Sequence, residues 1–449
     1  MPLPHKSGMF CLYFSFVNHL INTPSILIAL AAIVIVSYLF NLLAKKTRIP
    51  SVLMLLGMGI LFHVGGNYAS FPQPDVRPAL EILGSVGLIM IVLEAALDLE
   101  LRRENTGMIG RSLGLTLLEM GATTFFLSAL FHVGMDAPWD RAILYAVPLS
   151  ILSSAIIIPS VENMRHDLKE FMIYQSTFSD ILGIMLFYFL VEGFENPGGS
   201  TSEWLMQFGW SFGVSILVSA VFSYLLVILL QNIKTQLKLF LLIAVLILLY
   251  AVGKMLHLSS LLVILIFGLI LNNPNLFFPG KLQRWLKADI VSGLLNDFKL
   301  ITRETAFIVR TFFFVVFGYS IDLGSLANPL VIFFAVLALV GIYRIRAVAI
   351  QWTVPQPQAV LTYLAPRGLI TILLFYAIPE SMGIAQFDNG ILLYIILTSS
   401  VLMAWGMVRN QDKDDHRTLG DMLRDTASVD PELGPLESTE TASPNEGNA

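Results

Sequence analysis

Long apolar runs recur along the whole chain, separated by short polar stretches, and they are continuous rather than alternating with the period of two that a half-buried strand shows. They predict thirteen helical spans, over 24–43, 50–64, 78–98, 110–133, 139–160, 168–192, 205–231, 237–255, 258–272, 304–321, 327–350, 358–380 and 388–408. A helix needs roughly 20 apolar residues to cross a hydrocarbon layer of about 30 Å, and the second and ninth spans fall short of that. Residues 281–303 are amphipathic, with Lys281, Arg284, Lys287, Lys299 and Arg303, and are expected to lie along a membrane surface. Residues 410–449 are polar and rich in Pro, Ser, Glu and Gly, which predicts a disordered tail.

Composition agrees with the pattern. Of 449 residues, 56% are hydrophobic and only 13% charged, and the mean hydropathy is +0.75. A water-soluble chain carries nearly twice that share of charge. These values exclude a soluble globular fold, a disordered chain and a soluble nucleic-acid-binding protein, and the continuous runs exclude a β-barrel. The expected fold class is an all-α polytopic membrane protein, with an N-terminal segment over 1–23, one transmembrane domain over 24–409 and an acidic tail over 410–449. The single cysteine, Cys11, permits no internal disulfide and argues against a cysteine metal site. The apolar run Met9 to Val17 is followed by no small-residue cleavage site, so no cleaved signal peptide is expected.

The net charge of −5 belongs to the tail. Residues 410–449 hold ten acids and three Lys/Arg, a net of −7, which leaves +2 for the rest. Loop charges alternate. Lys45, Lys46, Arg48, Arg102, Arg103, Arg111, Arg165, Lys169, Lys234, Lys238, the five basic residues of 281–303, Arg344 and Arg346 fall on one side; Arg77, Arg141 and Lys254 fall on the other. The positive-inside rule places the first set in the cytoplasm, the N-terminus outside and the tail inside. The predicted location is the inner or plasma membrane.

The chain also resembles itself. Val92-Leu-Glu-Ala-Ala-Leu-Asp-Leu99 aligns with Val316-Phe-Gly-Tyr-Ser-Ile-Asp-Leu323, and the short span at Ser51 aligns with the short span at Ser260, placing Gly59 on Gly268. Both matches are displaced by seven spans. An odd displacement inverts the topology, a signature of secondary transporters, here with repeats over about 24–192 and 237–409. The same offset pairs the fifth span with the twelfth. The fifth carries Pro148, Leu152-Ser-Ser-Ala155 and Pro159; the twelfth carries Ala365-Pro-Arg-Gly368. Proline removes a backbone donor and disrupts the preceding turn. Backbone groups freed at membrane depth must be buried in protein or line a cavity. Two interruptions at corresponding positions point to an ion or substrate site near the midplane.

Charges inside spans are costly and call for a reason, about 2.5–3.5 kcal/mol each on insertion scales. They are Glu94, Glu119, Asp180, Arg310 and Arg367. In the sixth span, Gln175, Ser176, Ser179 and Asp180 share one helix face, and Gly183 one turn on lets another segment come close. An amide, two hydroxyls and a carboxylate offer the oxygen ligands that a hard monovalent cation wants. A carboxylate removed from water is neutralised by a proton or by a cation, one at a time. That competition is sufficient chemistry for an exchanger. Histidines such as His63, His132 and His257 are scattered near span ends, and no hydrolase or zinc motif occurs, so an enzyme is not expected.

Four patches, spread over nearly all of 24–408, resemble the monovalent cation–proton antiporter superfamily, the sodium/proton exchangers and their relatives. Leu93-Glu-Ala-Ala-Leu-Asp-Leu99 is similar to the family's Phe-Glu-Gly-Gly-Leu-Asn-Leu, Leu152-Ser-Ser-Ala155 to its unwound crossing, and Gln175-Ser-x-x-Ser-Asp180 to Glu-Ser-x-x-Asn-Asp. Arg310 with Gly318, and Pro366-Arg-Gly368, resemble the basic helix and the second broken helix. The resemblance implies that Asp180 carries the proton and the cation, that Ser176 and Glu94 assist, and that oxygens near Ser153 and Ser154 complete the shell. Ser179 would be a further ion- and proton-binding residue, Gln175, Arg367 and Asp98 would support the site, and Arg310 would be the structural or charge-compensating base. It implies Na⁺ as the first choice of cation, with K⁺ or Li⁺ as alternatives, no cofactor, and a homodimer in the lipid bilayer. The fifth, sixth, twelfth and thirteenth spans would move against a scaffold that includes the short spans, which would also help form the dimer contact.

The departures carry expectations too. Ser-Ser-Ala replaces the family's Thr-Asp-Pro, as in potassium-efflux-type relatives. Gln175 replaces a glutamate that would pair with Arg310, leaving Glu304, Glu94 or Asp180 as partners for that base. Ser179 stands before the key aspartate, and with no acid there exchange is expected to be electroneutral. A potassium-efflux-type channel or transporter is one alternative, although no channel-type filter and no nucleotide-binding motif is present. An organic-anion:cation symporter is another, which Arg367 would favour.

Overall fold

The computed structural model describes residues 23–47, 50–68, 76–101, 105–162, 164–195, 201–232, 238–255, 260–277, 288–321, 323–354 and 359–428. Described elements are helical throughout. In chain order they are α1 (Thr23–Thr47), α2 (Ser51–Tyr68), α3 (Arg77–Asp98), α4 (Thr106–Met135), α5 (Trp139–Ser150), α6 (Ser154–Ser160), α7 (His166–Glu195), α8 (Thr201–Asn232), α9 (Lys238–Met255), α10 (Ser260–Asn272), α11 (Pro274–Phe277), α12 (Ala288–Tyr319), α13 (Leu323–Leu326), α14 (Pro329–Thr353), α15 (Ala359–Tyr363), α16 (Leu369–Tyr376) and α17 (Asn389–Ser428). Among the described residues, seven stretches are long and apolar enough to cross a membrane: α1, α3, α4, the α5–α6 pair, α7, α14 and the first half of α17. Shorter apolar segments lie in α2, α8, α9 and α10.

The helices form two packed groups. In one, α12 lies along α2 and α3, and α10 lies along α3, α8 and α9. In the other, α4 lies against α5, α7 and α14, and α17 packs on α14 and α15. The groups meet where α3 touches α7 and α16. Lipid tails are as apolar as leucine, so close backbone packing rather than a hydrophobic gradient holds such groups together. Gly59 of α2 and Gly318 of α12 show this. A Cβ on Gly59 would collide with the backbone of Val315, Gly318 and Tyr319, and one on Gly318 with the backbone of Leu56. Gly268 of α10 presses on Ala96 and Leu93 of α3 in the same manner. Each short helix therefore seats its aligned glycine on a long helix, Gly59 on α12 and Gly268 on α3.

Two sequence expectations meet a different arrangement. Residues 288–303 do not form a separate surface helix; they are the first half of α12, which runs unbroken to Tyr319. Their basic residues face acids at the end of α3 and beyond it. Lys299 Nζ lies 3.7 Å from a Glu100 oxygen and Arg303 bonds Asp98 at 2.6 Å. Paired this way the bases need no membrane surface, so the helix continues inward. Residues 281–287 lie outside the described residues. The short helix α10 is buried by its own chain, with Val263, Ile264, Phe267 and Ile270 all in the core. Apolar side chains are exposed on α1, at Leu27, Ile28, Ile35 and Leu39, and on the short α2, at Leu61 and Phe62. Finally, α17 extends past Arg409 to Ser428, so the first part of the acidic stretch is helical backbone. Residues 429–449 lie outside the described residues.

Candidate functional site

Both interrupted spans are broken where the sequence places the breakers. α5 contains Pro148 in its last turn, and Ile151, Leu152 and Ser153 are extended before α6 begins at Ser154. In the second, α15 ends at Tyr363, residues 364–368 are irregular around Pro366, and α16 starts at Leu369. The two breaks touch. Ser153 N–H donates to Pro366 O at 3.0 Å, and a Cβ on Gly368 would collide with the Ser153 side chain. Glycine at 368 is what lets the two irregular strands cross.

Broken helices at this depth leave backbone groups that must be satisfied. Three consecutive N–H groups of the first break find acceptors. Leu152 N–H donates to Ser179 Oγ at 2.9 Å, Ser153 N–H to Pro366 O, and Ser154 N–H to Asp180 Oδ2 at 3.3 Å. Gly183, one turn beyond Asp180, lies against Ile151, and a Cβ there would collide with that side chain. So α7 delivers Ser179, Asp180 and Gly183 to the break along one face. Asp180 is 1% exposed, and its second oxygen, Oδ1, has no hydrogen-bond partner. A buried carboxylate oxygen left open in this way is the group a proton or a cation can occupy. Arg310 and Glu94 are charges whose fields reach it.

The carbonyls are satisfied by bases. Arg367, fully buried, donates from Nε to Leu149 O at 2.7 Å and from Nη1 to Ala365 O at 3.1 Å, and its backbone N–H donates to Ser399 Oγ at 3.0 Å. It caps the end of α5 and part of the second break together. Arg346 is fully buried too, although the sequence reading set it among the loop charges. Its Nε donates to Leu361 O at 2.8 Å, its Nη1 to Glu119 Oε2 at 2.7 Å and its Nη2 to Gln175 Oε1 at 3.4 Å. Gln175 Nε2 donates to the same Glu119 oxygen at 2.9 Å. Two signals could have marked Arg346: it falls inside the span predicted over 327–350, and Glu119 in the fourth span needed a counter-charge.

The remaining predicted residues are placed as follows. Glu94 bonds Arg310 at 2.6 Å, so among the partners open to that arginine it takes Glu94. Asp98 bonds Arg303. Ser176 Oγ donates to Ile173 O of its own helix at 3.3 Å. Asp180, Ser179, Ser153 and Ser154 are thus brought together at the crossing, while Ser176 bonds its own backbone and Glu94 and Asp98 are engaged by α12. Among the described residues no group of three or more His, Cys, Asp or Glu could hold a metal ion. A cavity of about 480 Å³ opens beside the crossing, between the end of α12 and the loop before α17, lined by Tyr145, Phe317, Tyr376, Glu380 and Asp388 among others. Its lining does not include Asp180.

Known proteins provide the context. The family model for the sodium/hydrogen exchanger, transmembrane, matches residues 26–408. No curated protein sequence matches the chain. The fold is similar to that of the sodium proton antiporter MjNhaP1 from Methanocaldococcus jannaschii at pH 8, with a TM-score of 0.64 and 20% identity, over 84% of this chain and 96% of that one. It is similar also to the electron-microscopy structure of MjNhaP1, with a TM-score of 0.62 and 18% identity, over 93% of this chain and 100% of that one. At these identities the likeness is one of fold.

Proposed function

The chain belongs to the sodium/hydrogen exchanger family, and we propose that within this family of multi-pass cation/proton antiporters it exchanges Na⁺ for H⁺, one for one, by alternating access. The observation that carries the reading is Asp180: a buried carboxylate with one oxygen on the Ser154 N–H and the other unpartnered. A proton or a sodium ion takes the open oxygen, never both. The hydroxyls of Ser153, Ser154 and Ser176 supply further oxygen ligands to the cation, Ser176 turning away from Ile173 O to do so. Glu94, held by Arg310, acts only through its charge.

Electroneutrality follows from the residues around the carrier. Position 179 holds a serine whose oxygen is occupied by the Leu152 N–H, and Glu94 is balanced by Arg310. One negative charge is therefore neutralised by one positive ion in either loaded state. The group carrying Asp180 and the two crossings moves against the group built on α2, α3, α10 and α12, with the N-terminus outside the cell. The anion-symporter reading is weakened, because Arg367 directs Nε and Nη1 at backbone carbonyls and leaves only Nη2 without a partner.

Proteoliposomes holding a pH-sensitive dye test the reading. A sodium gradient should drive proton movement, Li⁺ and K⁺ less so, with no dependence on an imposed voltage. Asp180→Asn should remove it. Exchange by Asp180→Asn would refute the carrier assignment, and a voltage-driven flux would refute one-for-one exchange.

A further inference from the structure

The buried cluster around Arg346 lies beside the exchange site and joins four helices. One Glu119 oxygen, on α4, accepts from Arg346 on α14 and from Gln175 on α7. Arg346 Nε holds Leu361 O near the end of α15. Gln175 precedes Asp180 by five residues, about 7.5 Å along the same helix at 1.5 Å per residue. A guanidinium does not release its proton in a protein, so Arg346 needs a fixed anion in this water-free place. Glu119 is its ion-pair partner at 2.7 Å, and both side chains are buried, 0% and 2% exposed. We propose that Glu119 is a positioning residue of the exchange site: through Arg346 it fixes α7 relative to the second crossing, and a carboxylate at position 175 can take over that role.

The exchangeability rests on geometry. Gln175 Oε1 already faces Arg346 Nη2 at 3.4 Å, and Gln175 Nε2 faces Glu119 Oε2 at 2.9 Å. In the double variant Glu119→Gln with Gln175→Glu, a carboxylate at 175 takes the guanidinium through Nη2, and the amide at 119 donates to that carboxylate instead of accepting from Nη1. The number of charges and the shapes of both side chains are kept. The anion moves from α4 to α7, and Arg346 exchanges its partner at 119 for the one at 175. This inference rests on the exchange reading of Asp180.

The experiment uses the full chain in proteoliposomes, with rates normalised to folded protein, and reads the cation KM separately from the maximal rate. Glu119→Gln should raise the cation KM by about tenfold or more, as losses of outer-shell partners do. The double variant should return KM to within about threefold of the original, because the two sites couple through one arginine. A Glu119→Gln protein that folds and keeps the original KM overturns the proposal, since a purely structural pair would change yield alone. A double variant whose KM is no better than that of Glu119→Gln also overturns it. If Glu119→Gln yields no folded protein, the double variant decides: folded with the original KM supports the proposal, anything less overturns it. If the unaltered chain exchanges no cation for protons, the exchange reading falls and takes this proposal with it, an outcome distinct from failure of the swap in an active protein.

Discussion

The first crossing breaks over three residues and passes its freed N–H groups to oxygen acceptors on α7 and on its partner strand; the second breaks over five and passes carbonyls to arginines. Leu152, Ser153 and Ser154 donate to Ser179, Pro366 and Asp180. Leu361 and Ala365 of the second crossing accept from Arg346 and Arg367, and Arg367 also takes Leu149 O at the end of the first crossing's α5. A broken helix exposes donors at the start of its second half and acceptors at the end of its first. Positive partial charge gathers at the donors and negative at the acceptors. The acid therefore belongs at the donor side and the bases at the acceptor side. The difference teaches why the donor side of a crossing receives a carboxylate and the acceptor side receives guanidinium charge: a carboxylate can take up a proton or a cation, whereas a guanidinium keeps its proton.

Substitutions at the crossings break or sharpen this contrast. The largest effect is expected for Arg367→Met, which strips the partners from Leu149 O and Ala365 O at once. Thermal unfolding in detergent should show a loss of about 3 kcal/mol or more, with exchange lost as well, since hydrogen bonds to charged groups are worth about 1.5–3 kcal/mol each. Gly368→Ala forces a Cβ into Ser153; the strands separate, exchange should fall sharply in the liposome assay, and stability should fall by about 1–3 kcal/mol. Ser179→Ala leaves the Leu152 N–H without its acceptor, a cost of about 1–2 kcal/mol, with transport slowed rather than abolished. Ser176→Ala removes a hydroxyl that bonds its own helix, so stability should change by less than about 0.5 kcal/mol, and the cation KM should rise only modestly. A Ser176→Ala loss matching that of Asp180→Asn would overturn the ranking.

The interruptions were legible because they are written in local chemistry. Pro148, Pro366 and Gly368 act on the backbone within a turn, and the breaks fall beside them, while Pro159 lies inside α6. The face carrying Gln175, Ser176, Ser179 and Asp180 was legible from helical spacing. The partner of Arg310 was not, because three acids were open to it and only the packing of α12 on α3 selects Glu94. Arg346 was misread for a related reason. A base two residues from another base near a predicted span end looks like a loop charge, and nothing within α14 itself reveals a glutamate 227 positions away.

By itself the sequence determined the membrane class and the placement of the two breaks, since each follows from hydropathy, periodicity or backbone stereochemistry over a few turns. Tertiary structure alone decided how the charges are divided: Glu94 to Arg310, Glu119 to Arg346, Arg367 to carbonyls, and Asp180 to a single backbone N–H with one oxygen open. The reason is that a buried charge is satisfied by whatever lies within about 3 Å of it. In a bundle of crossing helices those neighbours come from segments far apart in the chain, brought together only when the helices pack.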